Sequence, residues 1–120
     1  QKLQRRAAGL GFDWPDARAV LAKLAEEIAE IEVEMAAGGE PARLTDEVGD
    51  LLFTCVNLGR KFGVDGETAL RHANAKFERR FRALEALLDD AARQHRRTAS
   101  LDELEALWQA VKAAETDDRA

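Results

Sequence analysis

The stretch LAKLAEEIAEIEVEM, Leu21–Met35, has apolar residues at helical spacing and carboxylates along one edge of the stripe they form. At about 100° per residue, with Glu27 at zero, Val20, Leu24, Ile28, Ile31 and Met35 fall in an arc centred near +60°. Glu27 and Glu34 lie close to zero, with Lys23 and Glu30 at about −40° and −60°. A second stretch, RLTDEVGDLLFTCVNLGRKF, Arg43–Phe62, repeats this arrangement. With Glu47 at zero, Leu44, Val48, Leu51, Cys55, Leu58 and Phe62 form an arc near +60°, and Asp50 sits at about −60°.

Each helix therefore carries an acid pair at i, i+3, Glu27/Glu30 and Glu47/Asp50, offset the same way from its apolar stripe. The short GGEP connection, Gly38–Pro41, makes the two helices antiparallel neighbours. A two-fold axis perpendicular to an antiparallel pair keeps both acid edges on one side of the seam. The pairs are centred near positions 28.5 and 48.5, so both lie about 15 Å from the glycine turn. Four carboxylates converge on one spot.

Acids at such range raise one another's pKa, and a hard divalent cation removes the repulsion. An all-oxygen set favours Mg²⁺, with Mn²⁺ as a substitute. Di-iron bundles use a Glu-x-x-His pattern, which neither His72 nor His95 supplies.

The rest of the chain reads as helix too. Ala, Leu, Glu and Arg dominate, β-branched residues are few, and there are two prolines and no tyrosine, so an all-α helical bundle is expected. Lys2–Leu10 reads as a short basic helix closed by Gly11. Asp13 is expected to cap helix two, about Pro15 to Ala37, with Pro15 in its first turn. Helix three spans about Ala42 to Phe62 with Gly63 as its C-cap. Asp65 caps helix four, about Gly66 to Arg93. QHRRTAS reads as a turn, Ser100 and Glu103 form a capping box for a short last helix, and TDDRA reads as a frayed tail. No internal boundary is visible, so residues 1–120 are expected to form one domain. A domain this small buries about two-thirds of its unfolded surface, so packing against a second copy is expected.

A net charge of −5 argues against nucleic-acid binding. The single Cys55 excludes an internal disulfide or a Cys-based zinc site and fits a reducing cytoplasm. No apolar run reaches the roughly 18 residues of a membrane span, and no signal peptide is visible. Residue 1 is Gln, which suggests a piece of a longer protein.

EEIAE at Glu26–Glu30 followed by EVGD at Glu47–Asp50 resembles the EExxE…ExxD signature of MazG-type nucleoside triphosphate pyrophosphohydrolases. GFDW at Gly11–Trp14, GDLLFTCVNLGR at Gly49–Arg60, ANAKFERRF at Ala73–Phe81 and the closing LDELEALWQAVK extend the likeness. The order fits the C-terminal domain of family members with two such domains in tandem. The resemblance implies an all-α fold assembled as a homodimer or higher oligomer. It implies Mg²⁺-dependent hydrolysis of nucleoside triphosphates to monophosphate and pyrophosphate, as house-cleaning of the nucleotide pool. It assigns Glu27, Glu30, Glu47 and Asp50 to the metal and catalysis. It assigns Lys76, Arg80, Trp108, Lys112 and, more weakly, Asn74 to the substrate. A narrower dUTP or dCTP pyrophosphatase and an inactive helical interaction module stay open as rivals.

Other residues have plainer readings. Lys76, Arg79 and Arg80 make a solvated basic face paired with Glu78 or Glu85, or a phosphate-binding face. Trp108 is a core anchor or a ligand contact. Trp14 and Phe12 form a hydrophobic staple or pack the first helix. Cys55 is expected as an inert core thiol. His72 and His95 are expected at a helix surface. Glu34 and Lys23 either support the acids or face solvent. Asn57, at about −80° on helix three, reaches a ligand or only water.

Overall fold

The computed structural model describes residues 1–95 and 99–119, with side chains considered for residues 1–89 and 99–116. Five helices follow in order: α1 (Lys2–Gly9), α2 (Ala17–Ala36), α3 (Pro41–Lys61), α4 (Gly66–His95) and α5 (Leu101–Arg119). The described residues contain no strand, so the all-helical expectation holds. They fall into two compact units, Gln1–Ala69 and Leu70–Ala120.

Helix ends follow local chemistry, with corrections to the sequence reading. Asp16, not Asp13, caps α2. Its extended backbone leaves the carboxylate free to accept from the Ala19 N–H at 2.8 Å. Pro15 therefore precedes the helix. The Asp13 carboxylate is instead engaged by Arg60 and Lys61. Gly63 ends α3 in the left-handed region (φ 69°), and the Val64 N–H closes back on the Gly59 carbonyl at 2.8 Å. The Thr68 hydroxyl donates to the Asp65 carboxylate at the start of α4, and the Glu103 N–H donates to the Ser100 hydroxyl at the start of α5. The structure extends α4 past Arg93 to His95 and makes α5 a helix of 19 residues that includes the segment expected to fray. Of the expected turn, Arg96–Thr98 lie outside the described residues, as does the His95 side chain.

In the first unit α2 packs along α3. Their antiparallel register is fixed by two contacts across the seam. Arg43 approaches Glu34, and the Glu30 and Glu47 carboxyl groups meet, each pair being centred on position 38.5 between the two glycines. Gly38 and Gly39 both take positive φ (116° and 66°), which lets four residues reverse the chain. The α1 helix docks on α3 through Gln4, whose Nε2 donates to the Phe53 carbonyl at 2.7 Å.

The seam lies closer to the acids than the periodicity suggested. Val20 is fully buried, and Leu24, Ile31, Leu44, Leu51 and Leu58 are half-buried. Ile28, Met35, Val48, Phe62 and Cys55, all expected in the core, are exposed. Two helices in contact cover only a narrow arc of each other. Here that arc is rotated towards Glu27 and Glu47, so Glu27 is buried while the outer half of each stripe is left uncovered. The hairpin thus has an acidic edge and, on the opposite side of the seam, an exposed apolar face that includes Leu21, Ile28, Met35, Val48 and Leu52.

In the second unit α4 and α5 meet through the tilted Phe77 and Trp108 rings, 5.4 Å apart, and through a 2.9 Å bond from Arg80 to Glu115. Leu84 and Val111 are its buried apolar side chains among the described residues.

Candidate active site

Glu27 and Glu30 face the seam from α2 and Glu47 from α3. Each offers one carboxylate oxygen, and the three oxygens lie within 4.8 Å of one another. Glu27 is only 4% exposed. Its Oε1 is held by the Lys23 ammonium one turn earlier, at 3.2 Å. Lys23 also reaches Glu26, and these two acids raise its pKa above the ordinary lysine value, Glu27 contributing most. Lys23 is therefore a partner of the acids, not a solvent-facing bystander.

The remaining oxygens show which group the site fits. Glu27 Oε2 and Glu47 Oε2 are both sealed from water, and neither has a hydrogen-bond partner. Desolvation pushes the Glu47 pKa up. A hydrogen bond to Glu30 adds to the rise, followed by the charges of Glu30, Asp50 and Glu27. Buried carboxylate oxygens without a hydrogen-bond partner, beside other carboxylates, are unfavourable unless a proton or a cation joins them. An all-oxygen donor set with two unpartnered atoms fits a hard divalent cation.

Asp50 follows Glu47 by one turn. It is exposed and acts on Glu47 through its charge, but it lies outside the group of three. The structure therefore brings together three of the four expected acids. Glu34 is mostly covered, 3.9 Å from Arg43, and lines a cavity of about 240 Å³ with Ala29, Glu30, Val33 and Glu47.

The other expected site residues belong to the second unit. Lys76 and Asn74 are exposed and Lys112 is half-buried. Arg80 and Arg79 both pair with Glu115 on α5, at 2.9 and 3.7 Å, rather than with Glu78 or Glu85. Glu78 pairs instead with Arg82. Trp108 packs against Phe77, which itself stacks on Phe81 at 5.8 Å. His72 is exposed, as expected.

Sequence reasoning missed a polar clasp at the far end of α3. Asp13 accepts from Arg60 Nη1 at 3.2 Å and from Lys61 Nζ at 2.6 Å, and these cations hold its carboxyl well below the usual range. Arg60 Nη2 also donates to Asn57 Oδ1 at 3.0 Å, so the buried Asn57 is bound within the protein and does not face water. Phe12 is largely exposed and makes no staple, whereas the half-buried Trp14 lines a cavity together with Leu3, Gln4 and Ala7 of α1. Nothing local in the sequence signals a partnership between residues so far apart along the chain.

A family model described as the MazG nucleotide pyrophosphohydrolase domain matches residues 16–84, which hold the whole acidic hairpin. The chain is 46% identical over 119 residues to the nucleoside triphosphate pyrophosphohydrolase of Escherichia coli strain K12, covering 98% of this chain and 44% of that protein. It is 42% identical over 89 residues to the nucleoside triphosphate pyrophosphohydrolase/pyrophosphatase MazG of Thermotoga maritima, covering 74% of this chain and 33% of that protein. The chain belongs to the MazG nucleotide pyrophosphohydrolase family. It spans less than half the length of these relatives.

Proposed function

We propose that this chain hydrolyses nucleoside triphosphates to the monophosphate and pyrophosphate, as a Mg²⁺-dependent homodimer that clears unwanted nucleotides from the cytoplasm. One observation carries the reading: Glu27, Glu30 and Glu47 converge across the α2–α3 seam with two buried oxygens left unpartnered. The names of the full-length relatives support the reaction.

In this reading Glu27, Glu30 and Glu47 hold the cation, with Asp50 as the fourth acid one turn along α3. A Mg²⁺ held by these carboxylates would supply a water of lowered pKa and charge neutralisation for the phosphates. A water cleaves the phosphoanhydride between the α- and β-phosphates, its oxygen ending on one product and the bridging oxygen on the other, so that monophosphate and pyrophosphate are released. Lys23 fixes Glu27 through Oε1, which keeps Oε2 available. Glu30 or Glu47 orients the attacking water and accepts its proton. Lys76, Arg80 and Lys112 bind phosphates, and Asn74 and Trp108 complete the nucleotide contacts, as the family resemblance suggests. Arg80 must then exchange Glu115 for phosphate when substrate binds.

The dimer is supported by the exposed apolar face of the hairpin. Side chains such as Leu52, 61% exposed, are hard to reconcile with a lone copy that buries Gln4, Glu27, Thr54 and Asn57. The decisive experiment measures pyrophosphate release from a panel of triphosphates with and without Mg²⁺. Release that ignores both Mg²⁺ and the Glu47→Ala substitution would refute the site.

A further inference from the structure

In the second unit one carboxylate is shared by two guanidinium groups. Arg80 Nε donates to Glu115 Oε2 on α5 at 2.9 Å, and Arg79 Nε approaches Glu115 Oε1 at 3.7 Å. Arg79 and Arg80 are consecutive on α4, so their side chains leave the helix about 100° apart. Both nonetheless turn to Glu115, each to a different oxygen. Lys76 stands one turn before Arg80 on α4, and Lys112 one turn before Glu115 on α5. The neighbouring acid Glu78 is engaged by Arg82, and both of those side chains are exposed.

A carboxylate and a phosphate offer a guanidinium the same kind of partner, anionic oxygens that its N–H fork accepts. The Arg80 and Glu115 side chains are 20% and 28% exposed, so their attraction is screened less than that of a fully solvated pair. An acid that holds a binding arginine lowers every anion's affinity by the fraction of molecules in which that arginine is released. The aromatic pair lies along the same helix faces. Trp108 precedes Glu115 by seven residues, two helical turns, and Phe77 precedes Arg80 by three. A nucleotide whose base contacts Trp108, as proposed above, has its phosphates within reach of Glu115, about 10 Å further along α5.

We infer that Glu115 is an internal competitor for the phosphate site. It occupies Arg80, with Arg79 beside it, in the empty protein, and a polyphosphate chain displaces it on binding. The inference rests on the reading of Arg80 as a phosphate ligand. It adds Glu115 as a residue that sets affinity for the phosphate chain without touching it.

The test titrates the full chain, free of metal, with inorganic pyrophosphate. Without a cation the acidic cluster repels this anion, so binding reports on basic side chains. Calorimetry compares the parent with Glu115→Gln, which keeps the side chain's size and removes its charge. The variant should bind pyrophosphate about three- to tenfold more tightly, the order for one partly covered charged pair. The KM for a triphosphate should fall with it. In the parent, NMR should show the Arg80 Nε–H and Glu115 carboxyl resonances moving along one saturation curve. Equal or weaker binding by Glu115→Gln overturns the proposal, since Glu115 would then steady Arg80 or leave it unaffected. A Glu115 signal that stays still while Arg80 moves overturns it as well, and that result needs no variant to fold. Tighter pyrophosphate binding by the variant of a chain that cleaves no triphosphate sinks the enzymatic reading and leaves the competitor standing. Triphosphate cleavage whose KM ignores Glu115→Gln sinks the competitor alone.

Discussion

Glu30 and Glu47 bring carboxylate oxygens within 4.8 Å of each other across the α2–α3 seam, and burial first, then the approach of Glu30, raises the Glu47 pKa. Carboxyl groups placed so close favour a proton on one of them, or a cation in its place. The folded chain without metal thus holds a proton on Glu47 at pH values where the unfolded chain has released it. Stability of the metal-free protein should fall as pH rises through the window that begins at the ordinary glutamate value of 4.5 and ends at the raised one. Thermal melts in chelator at a series of pH values check the slope. Added Mg²⁺ should flatten it, because a cation replaces the proton.

Glu47→Gln removes one charge from the cluster and keeps the side-chain shape. Pyrophosphate release should drop by roughly 10²–10⁴-fold, the range for loss of a positioned acid–base group. Helicity by circular dichroism should be unchanged. The melting temperature in chelator should hold or rise, since a like charge is gone. A variant that unfolds would show that the acid serves packing.

Gly63 closes α3 at φ 69°, where a side chain is strained. Gly63→Ala should destabilise the chain by about 1 kcal/mol in denaturant titration, the cost of forcing an L-residue into the left-handed region. The neighbouring Gly59 is constrained for another reason. A Cβ there would come within 3.1 Å of the Val64 carbonyl oxygen.

The uncovered apolar face gives an assembly prediction. Leu52→Glu places a charge where the side chain is already 61% exposed, so a lone copy should tolerate it. A copy-to-copy contact should not. Light scattering coupled to size exclusion should show the parent as a dimer and the variant as a monomer. Equal masses would remove this face from the interface.

The hairpin was legible because its information is periodic and local. Acid pairs at i, i+3 in two helices joined by two glycines fix both azimuth and height, and the Glu30–Glu47 contact follows. The depth of the seam was not legible. Periodicity gives the direction of a stripe, whereas its burial depends on how much of each helix the partner covers, and so Cys55 and Met35 proved exposed. That Asp13 does not cap α2 was not legible, because its carboxylate is taken by Arg60 and Lys61, distant in the chain. The same limit applies to Arg80, whose tie to Glu115 bridges two helices.

The mirror placement of the acid pairs about Gly38–Gly39 makes segment length, more than residue identity, the sensitive variable between positions 30 and 47. One residue added within either helix would slide its carboxylates about 1.5 Å and swing them about 100° away from their counterparts. Substitutions on the outer surface of this span leave that alignment intact. Insertions or deletions inside its helical turns would dismantle it while leaving a chain that still folds as a helical hairpin.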